Sequence, residues 1–196
     1  MALPVDEPGW IDSDPIAFWH AEHVSFSRLL GILQSELASF YEGGRPDYAL
    51  MQEVLRYLRY FPDRHHHPRE DIAFRMIVER APHMQGLVNR LLQEHRVIES
   101  VGEELLGRLE GASEGLMVSR QSIEALAATY LVYYRHHLAT EQSEILPRAA
   151  QILTPEDWRR IAEAPSQGVD PLFGAASDER YRELRRRIAR EFGLRC

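Results

Sequence analysis

Residues 65–71 read His65-His66-His67-Pro68-Arg69-Glu70-Asp71, and the rest of the chain is organised around them. Three imidazoles and two carboxylates lie within these seven residues. On a helix, His66 and Glu70 are four positions apart, so both side chains leave the same face about one turn apart. A second pair with this spacing, His137 and Glu141, lies far downstream. Imidazole and carboxylate suit metals such as iron, zinc and copper, so each His-x3-Glu pair is a candidate half-site for an ion.

Length and composition indicate one globular domain. The chain has 196 residues, of which 44% are hydrophobic and 27% charged, enough to bury a sizeable core. The net charge of −7 argues against nucleic acid or a membrane surface as a partner. We find neither an apolar run long enough to span a membrane nor a signal pattern. The single cysteine, Cys196, suits a reducing compartment, so the expected location is the cytoplasm.

Apolar residues recur at helical spacing along most of the chain, and no stretch alternates like a β-strand. The pattern predicts four long helices, over residues 16–41, 47–80, 83–109 and 119–153. Pro62 and Pro68 are expected to break or bend the second helix, and Pro147 to kink the fourth. A loop is expected over residues 111–115.

Two shorter helices are predicted after the fourth, over residues 155–163 and 177–192. Thr154 is the expected N-cap of the first of them, with Pro155 at its first position. Four long helices with short loops favour an all-α fold, namely an antiparallel up-down four-helix bundle with a short C-terminal helical appendage. The predicted domain organisation is an irregular lead-in (1–13), the bundle (14–153) and short helices packing on it (154–196).

Two further histidines point toward the predicted core. His23 shares a helix face with Phe26 and Leu30, and His95 lies on a stripe of leucines. A single buried histidine is commonly satisfied by a backbone carbonyl, but here donors occur on all four long helices. A shared metal site explains the donors on all four helices together. It would supply six protein ligands for two ions and leave coordination positions open. The six candidates are His23, His66, Glu70, His95, His137 and Glu141.

This order of residues resembles the hemerythrin-like HHE cation-binding family. Its pattern is a His on the first helix, His-x3-Glu on the second, a His on the third and His-x3-Glu on the fourth. The segments that carry the resemblance are Glu22-His23, His66-x3-Glu70, Glu94-His95 and His137-x3-Glu141, and it covers about residues 14–153. The resemblance implies two iron ions in a non-haem centre, bridged by the two carboxylates and an oxo or hydroxo group. Spacing alone also allows manganese or zinc.

Other residues are weaker candidates for the same site. As ligands these are His20, His67, Glu99 and His136. His136 and His137 both have a usable spacing to Glu141, and we favour His137 because it shares a helical stripe with Tyr130 and Tyr133. Around the ligands we expect Tyr130, Tyr133 and Glu144. The tyrosines could donate hydrogen bonds to a bound oxygen species or simply pack in the core.

The chain departs from the oxygen-carrying members it resembles, which have a second histidine one turn after the third-helix ligand, where this chain has Glu99. The resemblance is closer to bacterial members linked to sensing, iron handling or repair. The expected function is binding or sensing of O2, nitric oxide or peroxide, more a metal- and gas-binding role than an enzymatic one. One alternative is an iron-handling, iron–sulfur-repair or peroxide-reducing enzyme at the same centre. Another is a structural bundle with adventitious metal. The expected partners are a small ligand and an optional second copy in a homodimer.

Overall fold

A computed structural model describes residues 14–163, 170–172 and 179–192, apart from the side chains of residues 40, 41, 191 and 192. All regular elements in these ranges are helical, so the all-α prediction is confirmed. The α-helices are α1 (Pro15–Tyr41), α2 (Tyr48–Tyr60), α3 (His67–Arg80), α4 (Gln85–Ser113), α5 (Arg120–Thr140), α6 (Leu146–Ile152), α7 (Pro155–Ala162) and α8 (Arg182–Phe192). The expected lead-in over residues 1–13 lies outside the described residues. None of the described helices is long and apolar enough to cross a membrane.

Two π-helical segments keep the long helical stretches continuous. Pro62–His66 joins α2 to α3, and Glu141–Ile145 joins α5 to α6. A proline stands two residues after each segment, Pro68 and Pro147 respectively. A proline within a helix lacks an N–H and crowds the carbonyl four residues back, and a wider turn relieves this conflict. The expected break and kink therefore take the form of π turns.

The end of α4 differs from the predicted loop over residues 111–115. The helix continues to Ser113, and the chain turns at Gly115. Its φ of +84° lies in the left-handed region, which glycine adopts without strain. The N–H of Leu116 donates to the carbonyl of Gly111, which closes the helix end in a Schellman-type arrangement. Gly111 is therefore a helical residue, and a Cβ on it would lie 3.3 Å from Cδ1 of Leu116. Its lack of a side chain serves close packing here rather than a turn.

The candidate metal ligands lie between two clusters of buried apolar residues. The helices α1 and α4 each contact both α2 and α5. The larger cluster includes Phe26, Phe61, Ile98 and Tyr134, and the smaller includes Trp19, Ala73, Leu91 and Ile145. On each long helical stretch the candidate ligands fall between a member of one cluster and a member of the other. The candidate ligands therefore form a polar layer inside the protein.

The two C-terminal helices, α7 and α8, pack against the preceding helices. Helix α7 packs on α3, and its Trp158 meets the indole of Trp19 edge to face, with ring centroids 5.2 Å apart. Its N-terminus is a capping box, as the sequence indicates, in which Thr154 and Asp157 bond each other's backbone N–H. Asp157 also accepts a hydrogen bond from Arg80 at 2.8 Å. Helix α8 contacts α2.

A glycine in α4 gives a test of the core packing. A Cβ on Gly102 would lie 2.9 Å from Cε2 of the buried Tyr130, whereas nothing lies within 4 Å of a Cβ on Gly107. We expect Gly102→Ala to lower the free energy of unfolding by about 1–2 kcal/mol, because overpacking outweighs the gain in helix propensity. Gly107→Ala, on the same helix, should raise it by up to about 1 kcal/mol. Denaturant unfolding measures both, and the same sign for the two variants would contradict the packing described.

The capping box predicts a pH-dependent contribution to stability. Although burial acts to raise the pKa of Asp157, bonds from Arg80 and Thr154 outweigh it and lower that pKa to about 2. A lowered folded-state pKa means stability that is present above about pH 4 and lost as the pH falls toward 2. Asp157→Ala should lower the free energy of unfolding at pH 7 by about 1 kcal/mol, and the deficit should shrink in acid. The exposed neighbour Glu156→Ala is the control. An equal loss in both variants would refute this role.

Candidate metal centre

Six residues expected to be ligands converge in the polar layer. The side chains of His23, His66, Glu70, His137 and Glu141 are at most 1% exposed, and that of His95 is 9% exposed. They come from α1, from the last residue of the first π segment and the first turn of α3, from α4, and from the junction of α5 with the second π segment. Burying this many polar groups requires partners or a cation at their centre.

The imidazoles are arranged as two pairs. Nε2 of His23 lies 3.0 Å from Nε2 of His66, and Nε2 of His95 lies 3.0 Å from Nε2 of His137. Two metal–imidazole bonds of about 2.1 Å at a right angle would separate their nitrogens by about 3.0 Å, against about 3.4 Å for a tetrahedral angle. Each pair therefore has the spacing of one edge of an octahedral coordination shell.

Both carboxylates reach from one histidine pair to the other. Oε1 of Glu70 lies 2.8 Å from Nε2 of His66, while its Oε2 lies 3.6 Å from Nε2 of His95. Oε2 of Glu141 lies 3.5 Å from Nε2 of His23, while its Oε1 lies 3.1 Å from Nε2 of His137. One oxygen of each carboxylate thus faces each pair. This is the placement that two bridging carboxylates require.

Several donor atoms of the cluster lack a hydrogen-bond partner, as the ligands of a cation do. Oε2 of Glu70 and both carboxylate oxygens of Glu141 are buried and accept no hydrogen bond from any described residue. Oxygens that are charged, buried and not hydrogen-bonded are costly unless a cation satisfies them. Atoms of His23, His66 and Glu70 lie within 4.8 Å of one another, as do atoms of His67, Glu70, His95 and His137. The residues present therefore fit two metal ions that share Glu70.

In three of the histidines, a carboxylate from a neighbouring helix forms a hydrogen bond with Nδ1, the ring nitrogen that faces away from the centre of the cluster. Nδ1 of His66 bonds Glu22 at 2.7 Å, Nδ1 of His95 bonds Asp71 at 2.8 Å, and Nδ1 of His137 bonds Glu94 at 3.3 Å. A carboxylate at Nδ1 fixes the ring and leaves Nε2 for a metal. Arg69, itself buried, bonds Glu22 through both carboxylate oxygens.

Sequence reasoning placed Glu22 and Glu94 in the Glu-His motif but missed this role. The available signal is an internal repeat, because Glu-His precedes His-x3-Glu twice in the chain. His23 and His66 are 43 residues apart, and His95 and His137 are 42 residues apart. In both halves the glutamate before the first histidine bonds the second histidine, which is on another helix.

Neighbouring carboxylates raise the pKa of two imidazoles in the cluster. Burial disfavours the charged form of His66, but Glu70 and Glu22 outweigh it and raise its pKa to about 9. Burial acts likewise on His95, where Asp71 and Glu70 raise the pKa to about 10. Protons on these imidazoles thus balance the buried carboxylates when no cation does, and bound metal must displace them.

The weaker ligand candidates divide sharply by position. His20 and Glu99 are exposed, and the side chain of His136 is 57% exposed. His136 lies outside both groups of converging donors, although its Nδ1 is 3.2 Å from Glu94. His67, by contrast, is buried in the cluster and stacks on His95 with ring centroids 4.3 Å apart.

The expected surroundings of the site need two corrections. Tyr133 is 41% exposed, and Tyr134 is the buried tyrosine whose ring lies 5.9 Å from that of His67. Glu144 is exposed on the second π segment. Both residues turn away from the cluster because that face of the helical stretch is open to solvent. Tyr130 is buried as expected, with its ring 5.5 Å from Tyr134.

A polar cavity of about 230 Å³ adjoins the cluster. It is bordered by Asp63, His67, Asp71, His95 and Glu99. A small molecule fits this space.

Comparison with known proteins places the chain in a family. No curated protein and no solved structure matches it. A family model, the hemerythrin HHE cation binding domain, matches residues 14–149, which include all six converging residues. The match spans more than half of the chain, and the His and Glu side chains gather as a cation site requires. The chain therefore belongs to the hemerythrin HHE cation-binding domain family.

Proposed function

We propose that this protein holds a non-haem di-iron centre and binds O2, nitric oxide or peroxide there. His23 and His66 would hold one ion, His95 and His137 the other, and Glu70 and Glu141 would bridge them. The observation that carries the proposal is the pair of Nε2···Nε2 distances of 3.0 Å with two carboxylates between them. Paired His and Glu ligands on facing helices are the usual means by which helical bundles hold two iron ions.

The donor set favours iron over a structural zinc site. Structural zinc is tetrahedral and closed, with sulfur or nitrogen ligands, whereas here two nitrogens and two carboxylate oxygens face each ion at right-angle spacing. Four donors per ion leave positions unfilled in an octahedral shell. When bound, the ions supply open coordination positions for a small ligand and electrons for its reduction.

Burial restricts the ligand to a small molecule. The six residues are nearly inaccessible, and the adjoining cavity of about 230 Å³ is lined partly by charged groups. Such a space has room for O2, nitric oxide or peroxide. The residues of this chain would hold the ions, orient each imidazole so that Nε2 faces an ion, and exclude bulk water.

We further propose that the long helical stretches form an antiparallel up-down four-helix bundle and that residues 14–153 are its functional unit. The contacts of α1 and α4 with both α2 and α5 support this arrangement. Residues 154–196 would cover the unit, since Trp158 packs on Trp19, whose ring lies 6.1 Å from His66. A small ligand would be its principal partner, and the cytoplasm its location.

Removing one ligand should remove one metal. We expect His66→Ala and Glu141→Ala each to bind at most one iron per chain, because each loses a donor that no neighbour replaces. Matched controls are the exposed His20→Ala and Glu144→Ala, which should bind iron as the wild type does. Metal analysis after reconstitution measures the stoichiometry. Two irons retained in both ligand variants would refute the assignment.

A further inference from the structure

We propose that the polar cavity beside the cluster is an entry site for divalent metal cations, and that the carboxylate of Asp63 is their first ligand there. The inference rests on the proposed di-metal centre and concerns how ions reach it rather than what holds them at the end. The cavity has a volume of about 230 Å³ and is bordered by side chains of the first π segment, α3 and α4.

The side chains that border this cavity carry more negative than positive charge. Three of them are carboxylates, those of Asp63, Asp71 and Glu99, and one is the guanidinium of Arg96. His95 adds one positive charge when it is protonated, and the sum stays negative. A cleft lined by one sign of charge concentrates ions of the opposite sign and speeds their association. The border therefore favours a cation over an anion.

Asp63 offers the ligand atoms that an incoming cation needs. Its side chain is 5% exposed, and neither carboxylate oxygen forms a hydrogen bond with any residue that the structure describes. Nη1 of Arg59 lies 3.7 Å from Oδ2 of Asp63 and donates instead to the backbone carbonyl of Glu99 at 2.6 Å. A buried carboxylate without a hydrogen bond is costly unless a cation approaches it. Asp63 is therefore placed to receive one.

The cavity meets the cluster at its most accessible ligand. Among the six converging residues, His95 has the most exposed side chain, at 9%, and it borders the cavity. His67 also borders the cavity, with Nδ1 3.4 Å from Oδ1 of Asp63 and its ring 4.3 Å from that of His95. One imidazole thus separates Asp63 from the converging ligands. An ion at Asp63 is a single side chain away from the position between His95 and His137.

The donor atoms also give the transfer a direction. An ion in the cavity would be held by the carboxylate of Asp63 and by water, because Asp71 is already bonded to Nδ1 of His95. Each ion of the proposed centre would have two imidazoles and two carboxylate oxygens. Imidazole binds iron better than water does, so the central positions are the stronger ones. The cavity would hold an ion briefly and pass it inward.

The kinetics of Fe²⁺ uptake test the proposal. Fe²⁺ is added anaerobically to the metal-free full chain, and tryptophan fluorescence reports the filling of the centre, since the ring of Trp19 lies 6.1 Å from that of His66. Asp63→Asn should still take up two ions per chain by metal analysis, but about tenfold more slowly than the wild type. Glu99→Gln neutralises an exposed carboxylate on the same border and should slow uptake by about twofold.

A matched variant and a change of salt separate this role from a structural one. Glu144→Gln removes an exposed carboxylate near Glu141 that does not border the cavity, and it should load at the wild-type rate. Raising the ionic strength from about 0.05 M to about 0.5 M should slow uptake by the wild type and affect Asp63→Asn less, because salt screens the attraction. A merely structural role for Asp63 would leave the salt dependence unchanged.

The outcomes distinguish this inference from the function on which it rests. Two ions taken up by Asp63→Asn at the wild-type rate and with the wild-type salt dependence would overturn the entry site and leave the di-metal centre standing. If Asp63→Asn does not fold, a wild-type rate that is independent of salt and unchanged in Glu99→Gln would overturn it equally. Fewer than two ions bound by the wild type would overturn the proposed centre and the entry site together.

Discussion

The structure depends on two carboxylates buried among imidazoles. Glu70 and Glu141 are each 1% exposed, and three of their four oxygens accept no hydrogen bond from the described residues. Removing a carboxylate from water costs several kcal/mol unless opposite charge compensates it. Neighbouring carboxylates raise the pKa of His66 to about 9 and that of His95 to about 10, so without metal the protonated imidazoles compensate this charge. Metal ions would compensate it more strongly, so that binding and folding stability are linked.

The surrounding architecture follows from this constraint. An apolar cluster lies on each side of the polar layer. Carboxylates of adjacent helices form hydrogen bonds with Nδ1 of three imidazoles and so fix their orientation. Arg69 in turn compensates Glu22, whose pKa stays below its ordinary value because His66 and Arg69 outweigh the effect of burial. Glu22, which orients His66, is thus itself paired, which is the condition for a stable buried polar network.

The periodicity of the sequence predicted the helices and the convergence of the six residues. Apolar residues on either side of each donor fix which face turns inward, so His23 and His95 could be placed from their neighbours. The π turns could not be predicted as such, because the same prolines are compatible with a break, a bend or a widened turn. The choice depends on how the flanking helices pack, which a local pattern does not contain.

The errors around the site have a similar origin. Tyr133 and Tyr134 stand four and three residues before His137, on either side of its direction, and only the neighbouring helices decide which of them is buried. Glu22 and Glu94 bond histidines 44 and 43 residues away, which no local pattern specifies. The repeated order of Glu-His and His-x3-Glu is the one signal in the chain that relates them.

The most direct test of the di-iron centre is elemental analysis of anaerobically purified protein, combined with its optical spectrum before and after exposure to air. We predict about two irons per chain and ligand-to-iron charge-transfer absorption that grows on oxidation. A protein that contains no metal, or a single zinc ion, and shows no such absorption would contradict the centre proposed for this polar layer.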